Sequence, residues 1–367
     1  MMSKPTMLSY ILEEQETLTA AINAYPTNID AAINGLNLDA ANWLVLGTGS
    51  SINAAKSAKY YIEKMADVKL AIEEPYNFTH YEKIDPQLQV VLGISQSGQS
   101  TSTIEAMAKI TNHHAVHTMA VTSIPDSEIT KVTTSTLDIL SGRERVGYVT
   151  LGFSATVLAL MLLGLRIGVK KGLITPEKEA AELQEFLDLT SRFNHVIEQS
   201  TRFFETHRKD FHLAPRFTSI AYGPAAGTAK EMETKFSETI RVPSLGVELE
   251  AFMHGPYLEI NPEHRLFFIE TPAKPEIIEK AGLLKAYEQR HTGHVFTISL
   301  RTSAAEDLNT LALGNCTDEF KAPYLAILPF QVFCWYISRE KGIDITNRIF
   351  TDFSQAVKSK TAVQDYV

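Results

Sequence analysis

Residues 43–51 read Trp-Leu-Val-Leu-Gly-Thr-Gly-Ser-Ser, and this stretch decides the predicted fold. A short apolar run that ends in small and hydroxyl-bearing residues is typical of a buried strand leading into a tight loop. The residues that follow, including Ala54, Ala58, Tyr61 and Ile62, have helical spacing. The stretch therefore predicts a strand, a loop and a helix in that order.

The same order recurs along the first half of the chain. An apolar run at residues 88–94 leads into a loop rich in serine and then a helical segment, and residues 117–122 form a third apolar run. Strands that alternate with helices predict an α/β fold, in which a parallel sheet is covered by helices on both faces.

The pattern returns in the second half. The segment Ser-Ile-Ala-Tyr-Gly at residues 219–223 precedes a helical segment at residues 229–238, just as residues 44–47 precede theirs. Gly47 and Gly223 thus occupy equivalent places in the two halves, and an internal duplication of one α/β unit is the economical interpretation. The predicted domains are an N-terminal helical segment (1–40), a first α/β domain (41–172), a helical connector (173–215), a second α/β domain (216–341) and a C-terminal tail (342–367).

Composition and charge exclude several classes of protein. The 367 residues are 44% apolar and 21% charged, which is typical of a globular protein with a large core. A formal net charge of −9 provides no diffuse basic surface, so we expect no nucleic-acid partner. The two cysteines, Cys316 and Cys334, form no CxxC pair. Together with an N-terminus that lacks an export signal, they favour a reducing, cytoplasmic location and no metal site.

One uncharged stretch, residues 146–165, has the length of a membrane-spanning helix. Its first half is polar, with Gly147, Thr150, Gly152 and Ser154, and only its second half is densely apolar. We therefore predict a helix buried between layers of the protein and no membrane partner.

The segment Ser-Gln-Ser-Gly-Gln-Ser-Thr-Ser-Thr at residues 95–103 carries six hydroxyls in nine positions. A loop between a strand and a helix presents backbone N–H groups and the positive end of the helix dipole, and hydroxyls add further donors. The segment has no basic residue, no Walker lysine and no GxGxxG pattern. Either it is a solvated turn or it is a neutral cradle for a phosphomonoester, and a second serine-rich loop at residues 49–51 favours phosphate. The nearby Arg143-Glu144-Arg145 run is interpreted as solvated charge.

Three ordered motifs resemble the sugar isomerase (SIS) domain family. They are Gly-Ser-Ser-Ile-Asn at residues 49–53, Ser-Gln-Ser-Gly-Gln-Ser at residues 95–100 and Phe-Met-His-Gly-Pro at residues 252–256. More narrowly, the chain resembles the isomerase half of glucosamine-6-phosphate synthase and the fructosamine-6-phosphate deglycases. The resemblance implies two tandem flavodoxin-like subdomains, each a three-layer αβα sandwich. It also implies that the 6-phosphate of a sugar is bound by Ser51, Ser95, Gln96, Ser97 and Ser100.

The resemblance implies the catalytic groups as well. Glu238 matches the family's catalytic glutamate, which moves a proton between C1 and C2, and His254 matches its ring-opening histidine. Taken singly, Glu238 could be a solvated helix residue and His254 a structural histidine. In the tail, alignment on Lys-Ser-x-Thr selects Lys358 as the lysine that forms a Schiff base, Lys360 is an open alternative, and both could be solvated. No cofactor or metal is implied, and the expected assembly is a homodimer in which His254 completes the neighbouring subunit's site.

The expected function follows from these assignments. Residues 1–42 are too short for the glutaminase domain of glucosamine-6-phosphate synthase, so we do not expect amination from glutamine. We expect an isomerase-type enzyme that binds a hexose or amino-hexose 6-phosphate and, as a deglycase or deaminase, releases an amine and a hexose 6-phosphate. The alternatives are an aminotransferase-like isomerase that uses free ammonia or a separate donor, and a sugar-phosphate sensor without turnover.

Overall fold

The computed structural model describes residues 4–113, 116–302 and 307–367. Its contacts divide the chain into two compact units. The first unit consists mainly of residues 13–190 together with residues 348–367, and the second mainly of residues 191–347. We call residues 348–367 the C-terminal arm.

The first unit contains a five-stranded parallel sheet. Its strands are β1 (Asn42–Leu46), β2 (Lys69–Glu73), β3 (Val90–Ile94), β4 (His117–Thr122) and β5 (Ser135–Asp138), in the spatial order β2-β1-β3-β4-β5. The helices along this part of the chain are α1 (Met7–Asn23), α2 (Thr27–Ala32), α3 (Ser50–Ala66), α4 (Pro75–Tyr81), α5 (Thr101–His113), α6 (Leu151–Lys170) and α7 (Pro176–Ser191). Every residue of β3 is buried, as expected for a strand covered on both faces.

Helix α6 is the apolar segment that composition alone could assign to a membrane. It is long and apolar enough for a span, but 89% of its most apolar window is buried inside the protein. It packs closely on α3, where a Cβ atom on Gly168 would lie 2.2 Å from the carbonyl oxygen of Met65. The prediction of a buried helix is therefore confirmed, with its start at Leu151 rather than at residue 146.

The second unit contains the second five-stranded parallel sheet. Its strands are β6 (Phe217–Ala221), β7 (Ser244–Glu248), β8 (Arg265–Glu270), β9 (Val295–Ser299) and β10 (Thr310–Ala312), in the order β10-β9-β8-β6-β7. Its helices are α8 (Phe193–Leu213), α9 (Ala225–Thr239), α10 (Leu249–Phe252), α11 (Pro275–Glu288), α12 (Ala322–Ala326) and α13 (Leu328–Glu340). Phenylalanine rings from α8, α9, α13 and the sheet pack against one another in its core, and both cysteines, Cys316 and Cys334, are buried there.

The two sheets have the same strand order when one is counted from the opposite edge, and their registers correspond. Trp43 of β1 pairs with Val90 of β3, and Thr218 of β6 pairs with Leu266 of β8. The second copy has one more residue between these paired positions than the first copy has. The predicted α/β fold with two corresponding parallel sheets is confirmed, and the predicted equivalence of the two halves holds to within one residue.

Candidate functional site

The serine loop, residues 95–101, connects β3 to α5 at the carboxyl edge of the first sheet. The buried Ser95 donates its backbone N–H to the carbonyl oxygen of Val121 (3.0 Å), and its hydroxyl accepts a hydrogen bond from the backbone N–H of Ser100 (3.2 Å). Gly98 has φ +66°, and a Cβ atom there would lie 1.8 Å from the Oγ of Ser127. The tight turn of the loop therefore requires glycine at this position.

Neighbouring groups fix the rest of the loop. The carbonyl oxygen of Gln96 accepts hydrogen bonds from the backbone N–H (3.1 Å) and the hydroxyl (2.8 Å) of Ser123, and the Gln96 amide donates to the same hydroxyl (3.2 Å). Ser51 is the second residue of α3. The residue immediately before this helix is Gly49, whose φ is +58°. Because β1 and β3 are adjacent parallel strands, both serine-rich loops leave the sheet at the same edge.

The C-terminal arm packs on the serine loop through a single β-bridge. The backbone N–H of Thr101 donates to the carbonyl oxygen of Ser359 (3.2 Å), and the N–H of Thr361 donates to the carbonyl oxygen of Gln99 (3.1 Å). These two bonds form an antiparallel bridge between Ser100 and Lys360. A short helix, α14 (Phe353–Ala356), precedes this bridge.

A second set of contacts anchors the end of the arm. The guanidinium of Arg145 lies 3.1 Å from the Asp365 carboxylate, and the backbone N–H of Val367 donates to the Arg145 carbonyl oxygen (2.9 Å). The side chain of Gln364 also bonds to that of Gln99. The arm is therefore bonded to the rest of the first unit both through residues 359–361 and through residues 364–367.

The two lysines of the arm have different environments. Lys360 is half-buried, and its Nζ donates to the hydroxyl of Ser97 (3.2 Å). Burial lowers the pKa of the Lys360 amine below its usual range. Lys358 is exposed and has φ +53°. The expected neutral cradle thus differs from the structure, since Lys360 adds a cation that the composition of the loop does not reveal.

Glu144 corrects one prediction from the sequence. The alternation of charges at residues 143–145 predicts a solvated run, but the Glu144 side chain is buried. Its carboxylate accepts hydrogen bonds from the backbone N–H groups of Thr150 (2.8 Å) and Gly152 (3.0 Å) at the start of α6. The prediction is wrong for Glu144 because these unpaired N–H groups at the helix start attract an anion. Glu144 also lines a small cavity of about 60 Å³ together with Gln96, Ser97, Arg143 and residues 363–366 of the arm.

In the second unit, Glu238 lies near the end of α9 in a cluster of charged residues. Its Oε2 is 2.5 Å from the Nζ of Lys235, which is buried and lies 3.7 Å from the Oε1 of the buried Glu231. Burial alone would lower the pKa of Lys235, but the two carboxylates outweigh burial and raise it. Lys235 and Glu231 are not among the predicted site residues, although the sequence contains a signal for them. Lys235 lies three residues before Glu238 and four after Glu231, which places all three on one helix face.

His254 lies after α10 and before Gly255, whose φ is +135°. Its side chain is 73% exposed, and its Nε2 lies 3.2 Å from the Oε1 of Glu250. Glu250 also bonds to Lys280, and Lys280 and His254 together lower the pKa of the Glu250 carboxyl. The imidazole therefore lies at the surface of the second unit next to a paired carboxylate.

The structure thus places the predicted groups in two sets. Ser51, Ser95, Gln96, Ser97, Ser100 and Lys358 belong to the first unit, and Glu238 and His254 belong to the second. Their catalytic and binding roles stay predictions. Within the described residues, no group of histidine, cysteine, aspartate and glutamate side chains is arranged to hold a metal ion.

Comparison with known proteins finds a domain family that matches part of the chain. The SIS domain matches residues 38–166. The glutamine–fructose-6-phosphate aminotransferase [isomerizing] of Gloeobacter violaceus is 23% identical over 303 residues, which are 82% of this chain and 49% of that protein. The chain spans about half the length of the curated relatives it matches.

Solved structures extend the likeness to both units. A proposed phosphosugar isomerase from Clostridium difficile 630 superimposes with a TM-score of 0.86 at 25% identity, over 97% of this chain and 99% of that one. The C-terminal domain of glucosamine-fructose-6-phosphate aminotransferase from Francisella tularensis has the same fold, with a TM-score of 0.80 at 19% identity over 92% and 97% of the two chains. The chain therefore matches the SIS domain over residues 38–166, and its two parallel sheets resemble tandem SIS subdomains.

Proposed function

We propose that the protein is a sugar-phosphate isomerase-type enzyme that acts on an amino-sugar or ketosamine 6-phosphate. As a deglycase or deaminase, it releases an amine and a hexose 6-phosphate. The observation that carries this proposal is the ion pair between Glu238 and the buried Lys235. Lys235 holds the Glu238 carboxylate in place near the end of α9, and the Glu238 side chain is still 37% exposed. The likeness to an isomerizing aminotransferase, whose name includes fructose 6-phosphate, supports the class of substrate.

The proposed reaction needs one carboxylate that moves one proton. On a ketosamine 6-phosphate, Glu238 removes a proton from C1, and the C1–H electron pair forms the C1–C2 double bond of an enolamine. The π electrons of the C2 carbonyl move to its oxygen, which takes a proton from water. Glu238 then returns the proton to C2 while the nitrogen lone pair forms the C1–N double bond. The nitrogen loses its proton to water, which leaves an imine at C1 and a hydroxyl at C2. Water hydrolyses this imine to a free amine and an aldose 6-phosphate. Lys235 holds the carboxylate through the 2.5 Å contact while Glu238 alternates between base and acid.

The other groups are assigned to binding and ring opening. The serine loop and Ser51 bind the 6-phosphate, and the imidazole of His254 transfers the proton between the anomeric hydroxyl and the ring oxygen. The 73% exposure of His254 supports a homodimer in which this histidine completes the site of the other subunit.

Conversion of defined substrates tests the reaction. The protein is incubated with fructoselysine 6-phosphate, glucoselysine 6-phosphate and glucosamine 6-phosphate, and hexose 6-phosphate and amine are quantified. Glu238→Gln should abolish conversion while preserving binding, because it keeps the size of the side chain but cannot accept the proton. Absence of product from the whole panel would overturn the proposal. Formation of glucosamine 6-phosphate from fructose 6-phosphate and ammonium would instead identify an ammonia-dependent aminotransferase, and binding without any turnover would identify a sensor.

Mixing two inactive variants tests the shared site. Glu238→Gln and His254→Asn are each expected to be inactive, and exchange of their subunits should restore about a quarter of the wild-type activity, because half of the dimers then contain one intact site. No recovery, with exchange verified by mass spectrometry, would contradict the shared site.

A further inference from the structure

We infer that Lys360 is the cation of an anion site that it forms with the serine loop, and that the ligand of this site is the phosphate group of a phosphomonoester. The inference deepens the proposed function and rests on it only for the identity of the molecule that carries the phosphate.

The position of Lys360 is fixed by backbone pairing on both sides. The bond from Thr101 to Ser359 precedes it and the bond from Thr361 to Gln99 follows it. The side chain leaves this bridge toward the loop, where its Nζ meets the Ser97 hydroxyl at 3.2 Å. Lys360 is therefore attached to the loop and differs from an ordinary lysine of a frayed terminus.

The charge of Lys360 has no counter-ion among the described residues. Its contact is with a hydroxyl, and none of the ion pairs in the described part of the chain includes it. Lys235 is more deeply buried, but it has Glu231 and Glu238 beside it. Burial lowers the pKa of Lys360, whereas the carboxylates raise that of Lys235. A desolvated ammonium without a carboxylate is costly, and a bound anion would offset that cost.

The surroundings of the ammonium are suited to phosphate. In the residues that the structure describes, the backbone N–H groups of Gln96 and Ser97 have no protein acceptor within hydrogen-bond distance. The hydroxyls of Ser97 and Ser100 provide further donors beside Lys360. In the proposed function the loop binds the phosphate end of the sugar, so an ammonium bonded to the loop would lie at that end of the substrate. The role inferred here for Lys360 therefore differs from the Schiff-base role predicted for Lys358.

Calorimetric titration of the full chain with inorganic phosphate, and then with fructose 6-phosphate, tests the inference. Lys360→Met should weaken both affinities by about ten- to a hundredfold, the usual contribution of a charge-assisted hydrogen bond. Lys360→Arg keeps the charge and should retain most of the affinity. Lys83→Met is the matched control, because it removes one positive charge from an exposed position of the same unit.

The outcomes separate this inference from the proposed function. Wild-type affinity in Lys360→Met, or no binding of either probe by the wild type, overturns the inference. Phosphate binding that depends on Lys360, without conversion of any amino-sugar phosphate, supports the inference and contradicts the proposed function. If Lys360→Met does not fold, the wild type is labelled with acetic anhydride and analysed by mass spectrometry. Phosphate should protect Lys360 and leave Lys83 unprotected, and equal labelling of Lys360 with and without phosphate overturns the inference.

Discussion

Gly98 gives the sharpest test of how the fold builds the serine loop, the proposed phosphate site. Replacement by alanine adds one methyl group at φ +66°, a conformation that costs an L-residue about 1–2 kcal/mol. The new Cβ would also lie 1.8 Å from the Oγ and 2.2 Å from the Cβ of Ser127. Ser127 cannot retreat easily, because its backbone N–H is bonded to Ile124 and the Gly98 carbonyl oxygen accepts the N–H of Ile129.

The expected loss combines two separable costs. Overpacking of a buried contact adds about 1–3 kcal/mol to the backbone cost, so Gly98→Ala should lower the free energy of unfolding by about 2–5 kcal/mol. Gly142 provides a matched control, since it has φ +65° but no atom within 4 Å of an added Cβ. Gly142→Ala should therefore incur only the backbone cost, about 1–2 kcal/mol.

Urea unfolding of the variants, followed by phosphate titration, measures both effects. We expect a lower midpoint for Gly98→Ala than for Gly142→Ala, with an unchanged slope, and a loss of phosphate affinity only in Gly98→Ala. Adding Ser127→Gly removes both clashing atoms and should recover the steric part of the loss. A steric role for Gly98 is refuted if Gly98→Ala is no less stable than Gly142→Ala, or if Ser127→Gly recovers none of the lost stability.

Three further substitutions test other features. Glu144→Ala removes the acceptor of two backbone N–H groups at the start of α6. In urea titrations it should lower the free energy of unfolding by about 2–4 kcal/mol, and a loss below about 0.5 kcal/mol would contradict the capping role. Lys235→Met leaves the buried Glu231 without its cation and should lower the free energy of unfolding by about 3–5 kcal/mol at neutral pH. If the variant unfolds thermally at the wild-type temperature, that result argues against a charged pair. Burial, reinforced by nearby arginines, lowers the pKa of His264 to about 4, so the folded state stays neutral while the unfolded state gains a proton below about pH 6.5. The free energy of unfolding should consequently fall by up to about 3 kcal/mol as the pH is lowered from 6.5 to 4. His264→Gln should flatten this pH dependence in urea titrations across that range. If the variant keeps the wild-type pH profile, His264 is excluded as the source of the dependence.

The parts of the fold that could be predicted are those in which local sequence and burial agree. Val90–Ile94 is an apolar run because both faces of β3 are covered, and the hydroxyls that follow it mark the point where the strand leaves the sheet. The residues of the serine loop are therefore recognisable without a structure, and so is the repeat of the whole pattern.

The unpredicted features depend on contacts between distant parts of the chain. Lys360 and Ser97 are separated by 263 positions, and the sequence contains no signal that joins them. Glu144 stands between two arginines, which indicates solvated charge until the N–H groups of Thr150 and Gly152 are seen opposite its carboxylate. The different environments of the two lysines of the arm likewise depend on the pairing of Lys360 with Ser100, which the motif Lys-Ser-x-Thr does not contain.

The burial of Cys316 and Cys334 has a practical consequence for studying the C-terminal arm. A thiol-reactive fluorophore or spin label should modify neither residue in the folded protein, since both thiols lie in the core of the second unit. A cysteine introduced at the exposed Val363 would then be the accessible thiol, without removal of the native ones. The arm can therefore carry a reporter whose signal follows its attachment to the serine loop during titration with phosphate.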